Sequence, residues 1–162
     1  MMNIILQGLF AIGATAGFSI IFHVPAKTIP VCSIVGGLGW ALYEFIIGYD
    51  STNAMVASFF AAALVGLLSE ICARVFKEAA TLFTIPGIMP LVPGIYIFRS
   101  MEAMLNGNTS TTTYGIDCLK IAAAIAFGLL AVGAVFKILH AMHAKTIEVT
   151  NDVIEAIKRP SK

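Results

Sequence analysis

Long apolar runs alternate with short polar connections along the whole chain. Hydrophobic residues dominate 2–22, 31–48, 54–76, 82–98 and 116–139, and each run is long enough, or nearly so, to cross a hydrocarbon layer about 30 Å thick. The pattern predicts an all-α, polytopic membrane helical bundle with five transmembrane helices. The fourth run differs from the rest. Thr84 to Gly94 reads TIPGIMPLVPG, which puts Pro86, Pro90 and Pro93 together with Gly87 and Gly94 inside an apolar stretch. A proline has no backbone donor and its ring crowds the preceding turn, so carbonyls are left free that hydrocarbon cannot satisfy. Such a Pro/Gly-broken span survives only against protein or a wet cavity, and half-helix ends of this kind hold solutes in transporters.

Connections are short, as at His23 to Pro30, Tyr49 to Asn53 and around Lys77; the longer polar loop runs from Asn106 to Tyr114 and contains the sequon Asn108-Thr109-Ser110. Beyond Ala141 the chain turns polar. Ile147, Ile154 and Ile157 recur near helical spacing there, which predicts that residues 141–162 form a short amphipathic cytoplasmic helix.

Composition agrees with the pattern. The chain of 162 residues is 59% hydrophobic and 12% charged, with a mean hydropathy of +0.92, against roughly 25% charged residues in a soluble domain. A net charge of +1 gives no nucleic-acid surface. The first run follows Met1 without a basic leader and ends at bulky residues, so it reads as a permanent helix rather than a cleaved signal. With five spans, Lys27, Arg74, Lys77, Lys137, Lys145, Lys158, Arg159 and Lys162 fall on one side and only Arg99 and Lys120 on the other. The positive-inside rule then places the amino terminus outside and the carboxyl tail in the cytoplasm.

Glu44 and Glu70 stand well inside spans, whereas Asp117 is at the edge of the last run. Glu70 has Arg74 one turn later and shares a small-residue ridge with Ala62 and Gly66, so it is expected to face protein. An ionised carboxylate at mid-membrane costs about 3 kcal/mol, and that cost asks for a reason. One reading is a proton-coupling site; the other is a structural ion pair near the cytoplasmic interface. Glu44 follows Trp40 by one turn and reads either as a second coupling site or as an outer-interface residue reaching water. Gly13 and Gly17 form a GxxxG pair, a helix-contact signal.

For the broken segment, the expected geometry is a half-helix capped by Thr84 and starting near Pro86, its free N–H groups turned toward a carboxylate. A re-entrant turn that only shapes packing is the other reading. Thr84, Pro86, Gly87, Pro90, Pro93 and Gly94 are therefore the candidate substrate-binding set, with Glu70, Arg74 and Glu44 as the proton-coupling set. Cys32, Cys72 and Cys118 are isolated and apolar in context, without disulfide or metal spacing. His140 and His143 are three apart with no third ligand nearby, and no hydrolase or phosphate-loop motif occurs. Neither enzymatic activity nor a cofactor is expected.

Taken in order, Gly17-Phe18-Ser19-Ile20-Ile21-Phe22-His23-Val24-Pro25, Gly36-Gly37-Leu38-Gly39-Trp40, Ser69-Glu70 to Arg74, and Pro86-Gly87-Ile88-Met89-Pro90-Leu91-Val92-Pro93-Gly94 resemble the successive motifs of the threonine/serine exporter family. The PGIxPLVPG run is the specific one, and the resemblance extends from about Phe10 to Met101. Glu78-Ala79 stands where members often have a proline. The resemblance implies the small, five-span subunit of a split exporter in a bacterial inner membrane, partnered by a second membrane subunit carrying the other half or by its own copies. It further implies proton-driven efflux of threonine and serine, or of dicarboxylates such as succinate. A non-transporting scaffold for a larger membrane partner is the alternative.

Overall fold

The computed structural model describes residues 4–49, 54–106 and 111–158, and all regular structure among them is helical. Helix α1 spans Ile4–Ile21, α2 Ile29–Tyr49, α3 Ala54–Phe76, α4 Thr81–Ile88, α5 Gly94–Leu105 and α6 Thr111–Lys158, with a 3₁₀ turn at Met89–Leu91 between α4 and α5. Helices α2, α3 and α6 carry stretches long and apolar enough to cross a membrane. The α4–α5 pair, bent by 48° at its break, makes a fourth if it counts as one span. Helix α1, apolar over Ile5–Ile21, is shorter. The five predicted runs are thus three full-length helices, one bent pair and one shorter helix.

Two helix ends share a stop signal that the sequence does not advertise with glycine. His23 (φ 55°) and Lys77 (φ 56°) adopt the left-handed conformation. Beyond them the N–H of Val24 returns to the Ser19 carbonyl and that of Glu78 to the Ala73 carbonyl, each at 3.0 Å, which closes α1 and α3 by the six-to-one bond of a Schellman cap. Pro30 sits in the first turn of α2, where its missing donor costs nothing.

Helix α2 is central and packs against α1, α3 and α4, while α6 packs along α3 and touches α5. Close approach depends on glycines. A Cβ on Gly36 or Gly37 would meet Thr15 or Ile12 of α1, and one on Gly39 would meet Val65 of α3. The predicted Gly13/Gly17 contact does not occur within this chain: both glycines have open space beside them. The inward face of α1 is formed instead by Ala11, Thr15 and Ser19, whose hydroxyls are fully buried and donate to the carbonyls of Ala11 and Thr15 at 2.8 Å. Those internal bonds let two polar residues enter an apolar contact without an unmet donor. The Ala62–Gly66 ridge of α3 does face protein, since a Cβ on Gly66 would touch Leu129 and Val132 of α6.

The core has two parts. Val35, Ala61, Val65, Leu91, Ile121 and Ile125 form one, and Val24, Cys32, Ala73 and Phe83 the other. The tail departs from expectation, because α6 continues unbroken to Lys158 rather than stopping before a separate short helix. The 19 residues beyond its apolar stretch, which ends at Leu139, extend it by about 28 Å. The side chains of His140, His143, Ile147, Ile154 and Ile157, and the Asn108 sequon, lie outside the described residues.

Candidate functional site

The three prolines of the broken segment leave three carbonyls without their usual partners; one is answered from another helix and two by tighter local turns. Pro86 frees the Leu82 carbonyl, which accepts the Cys32 thiol of α2 at 3.6 Å. Pro90 frees the Pro86 carbonyl, which accepts the Met89 N–H in a tighter turn. Pro93 frees the Met89 carbonyl, which accepts the Val92 N–H at 3.3 Å. Because Pro86 is accommodated in this way, the helix passes through it. The break falls at Val92–Pro93 instead, after which the N–H groups of Tyr96 and Ile97 bond to the Pro93 carbonyl at 3.1 and 3.2 Å to start α5.

This corrects the expected half-helix. Pro86 lies inside α4, not in its first turn, and the Thr84 hydroxyl donates back to the Ala80 carbonyl at 3.0 Å rather than capping a helix start. Pro86 and Gly87 are buried. A Cβ on Gly87 would come within 3.0 Å of Val65 and 3.3 Å of Val35, so at this point the segment makes a dry contact with α2 and α3. Gly94, at the start of α5, is exposed with nothing within 4 Å.

Two cavities flank the segment. One, of about 260 Å³, is lined by Gln7, Phe10, Ala11 and Ala14 of α1, Trp40 of α2 and Pro90. The other, of about 270 Å³, lies between the end of α1 (Phe22, His23, Val24) and Ala79, Thr81, Leu82, Ile85 and Pro86. The first cavity adjoins the polar cluster that matters most. The Gln7 amide reaches across from α1 so that one of its corners, with nitrogen there, lies 3.0 and 3.1 Å from the two carboxylate oxygens of Glu44. With oxygen at that corner it accepts the Trp40 indole N–H at 3.3 Å. Trp40 in turn packs on Tyr43, ring centroids 5.3 Å apart.

Glu44 therefore joins the proline segment through Gln7 and Trp40. Glu70 does not. Its carboxylate lies 3.8 Å from the Arg74 guanidinium, their side chains 29% and 51% exposed, and Arg74 stacks over the Phe136 ring of α6 at 4.4 Å. That pair belongs to the α3–α6 contact and lines neither cavity. Beside Glu70, the Ser69 hydroxyl is fully buried without a hydrogen-bond partner among the described residues. Gln7 is the residue that sequence reading missed. An amide inside an apolar run was the available signal, but its partner is 37 residues away and only helix packing brings them together.

The bundle is that of a multi-pass membrane protein, with polar side chains gathered beside a broken apolar segment. Residues 7–135 match the family described as Threonine/Serine exporter, ThrE, and the chain belongs to that family. The family is one of transporters rather than enzymes. An uncharacterized protein of Haemophilus influenzae is 27% identical over 105 residues, which cover 65% of this chain and 35% of that protein. The chain thus matches about a third of that relative's length. No solved structure matches it.

Proposed function

We propose that this chain is one membrane half of a split secondary exporter, spanning a bacterial inner membrane five times with its amino terminus outside and its tail in the cytoplasm. Its cargo is threonine and serine, or a related small carboxylate such as succinate, and proton entry drives efflux. The observation that carries the reading is the family match over residues 7–135. The second half comes from a separate membrane subunit or from another copy of this chain. In support, the cavity beside Pro90 has Phe10 and Ala14 on its exposed side, where a second half would close it.

Solute would enter at the cavity beside Pro90, with Pro86 on the wall of the second cavity, Gly87 holding the broken segment against α2 and α3, and Gly94 open to the partner. Glu44 is the better-placed proton carrier because it adjoins the cavity through Gln7. Glu70 with Arg74 is a second acidic site on the α6 side. The dry seat of Gly87 is the observation that favours the scaffold reading instead.

The test is efflux of labelled threonine, serine and succinate from cells lacking native exporters, with this chain expressed alone or with its partner, and with or without a protonophore. Efflux that needs both chains, stops with the protonophore and is lost in Glu44→Gln is the expected result. Efflux that ignores the protonophore would refute proton coupling, and absence of efflux with both chains in the membrane would favour the scaffold.

A further inference from the structure

We infer that Gln7, Glu44 and Trp40 form a protonation-dependent amide switch on the wall of the α1–α2 cavity. The inference deepens the exporter reading and rests on it for its consequence in transport; the switch itself is read from the geometry of three side chains. One corner of the Gln7 amide faces two incompatible neighbours. Toward it point both oxygens of Glu44, at 3.0 and 3.1 Å, and the indole N–H of Trp40, at 3.3 Å. An ionised carboxylate only accepts and an indole N–H only donates, so a single amide atom cannot serve both.

The protonation state of Glu44 selects the atom. When Glu44 is ionised, the amide nitrogen must face it, because an amide oxygen there would repel two carboxylate oxygens; Trp40 then loses its acceptor in the cluster. When a proton adds to one Glu44 oxygen, the carboxyl gains an O–H that can donate. The amide oxygen then accepts from both Glu44 and Trp40. Passing between the states requires only a half-turn of the amide about its last side-chain bond, with no movement of backbone.

Among the described residues, few titratable groups face this cluster. Glu44 faces Gln7 from α1, and on its own helix Trp40 and Tyr43; Tyr43 interacts electrostatically with Glu44 and with Tyr96 of α5. Among the described residues, no Lys, Arg or His nitrogen pairs with Glu44, whereas Glu70 and Asp117 both have such partners. Gln7 and Trp40 also line the cavity that contains Pro90, so the polar atom Gln7 turns to its other side changes with the proton.

Trp40 is the only tryptophan in the chain, which makes the switch directly readable. The experiment follows the single indole ¹⁵N–¹H cross-peak of the full chain in detergent micelles from about pH 4 to 9, below the ordinary range of tyrosine near 10. The expected result is one titration step, the proton resonance lying downfield at acid pH, where the N–H donates to Gln7, and upfield at alkaline pH. Glu44→Gln should flatten the titration, and Gln7→Leu should hold the peak upfield throughout. A pH-independent peak in the native protein would overturn the switch. So would a titration that persists in Glu44→Gln, or one of undiminished amplitude in Gln7→Leu, which would mean that the carboxylate acts on the indole without the amide. If Glu44→Gln fails to fold, Gln7→Leu decides alone. The readout involves no transport, so loss of the switch and loss of the exporter reading are separate outcomes.

Discussion

Gly128 of α6 lies against the backbone of α3 rather than against movable side-chain ends, and replacing it with alanine tests the packing quantitatively. The added Cβ would stand 2.6 Å from the Phe59 carbonyl oxygen, 3.2 Å from the Ala63 nitrogen and 3.3 Å from the Ala62 Cβ. All three atoms belong to the backbone or first side-chain carbon of α3, so no rotamer change relieves the clash. Reaching ordinary contact at 3.4 Å requires the nearest atom to recede by about 0.8 Å, which means parting the two helices. A gap of that size forfeits about a quarter to a half of the dispersion well for each facing pair, and overpacking costs typically 1–3 kcal/mol. Against this, Gly→Ala in a helix interior gains up to about 1 kcal/mol of propensity. Gly133, five residues on in the same helix, has nothing within 4 Å and isolates that second term. Unfolding by rising SDS fraction in mixed micelles, followed by far-ultraviolet ellipticity, should therefore rank Gly128→Ala below Gly133→Ala by about 1–3 kcal/mol. Equal stability of the two variants would refute the close α3–α6 approach.

Two further expectations concern single contacts, both read by the same unfolding measurement. Cys32→Ala removes the donor that answers the Leu82 carbonyl and should cost about 1 kcal/mol beyond its lost volume; in a Pro86→Ala background, which restores an amide donor to that carbonyl, the penalty should shrink. An unchanged penalty would show that the thiol contact is incidental. Glu70→Gln should cost less than about 1 kcal/mol, as expected for a partly exposed pair. Arg74→Ala should cost more, because it also removes the stacking over Phe136, and equal losses would argue against that stacking.

Hydropathy alone determined that the chain is a helical membrane bundle and which segment is irregular, because burial in hydrocarbon imposes composition and backbone satisfaction on each run independently; the shortness of α1 and the length of α6 lay outside it. The order of the motifs determined the family. Local pattern also placed Glu70 beside Arg74 and on a protein-facing ridge, since residues four apart in a helix are neighbours whatever the fold. What packing decided was everything that depends on a partner distant in the chain. Pro86 reads as a helix start until Cys32, 50 residues earlier than Leu82, supplies a donor for the carbonyl it frees. The Gly13/Gly17 pair reads as a contact until Thr15 and Ser19, satisfied by their own helix, take the inward face. Glu44 reads as an interface residue until α1 delivers Gln7 to it, because one carboxylate in a hydropathy profile carries no information about which side chain will stand 3 Å away. Periodicity describes one helix at a time, whereas the polar cluster beside Pro90 exists only where α1, α2 and the broken segment meet.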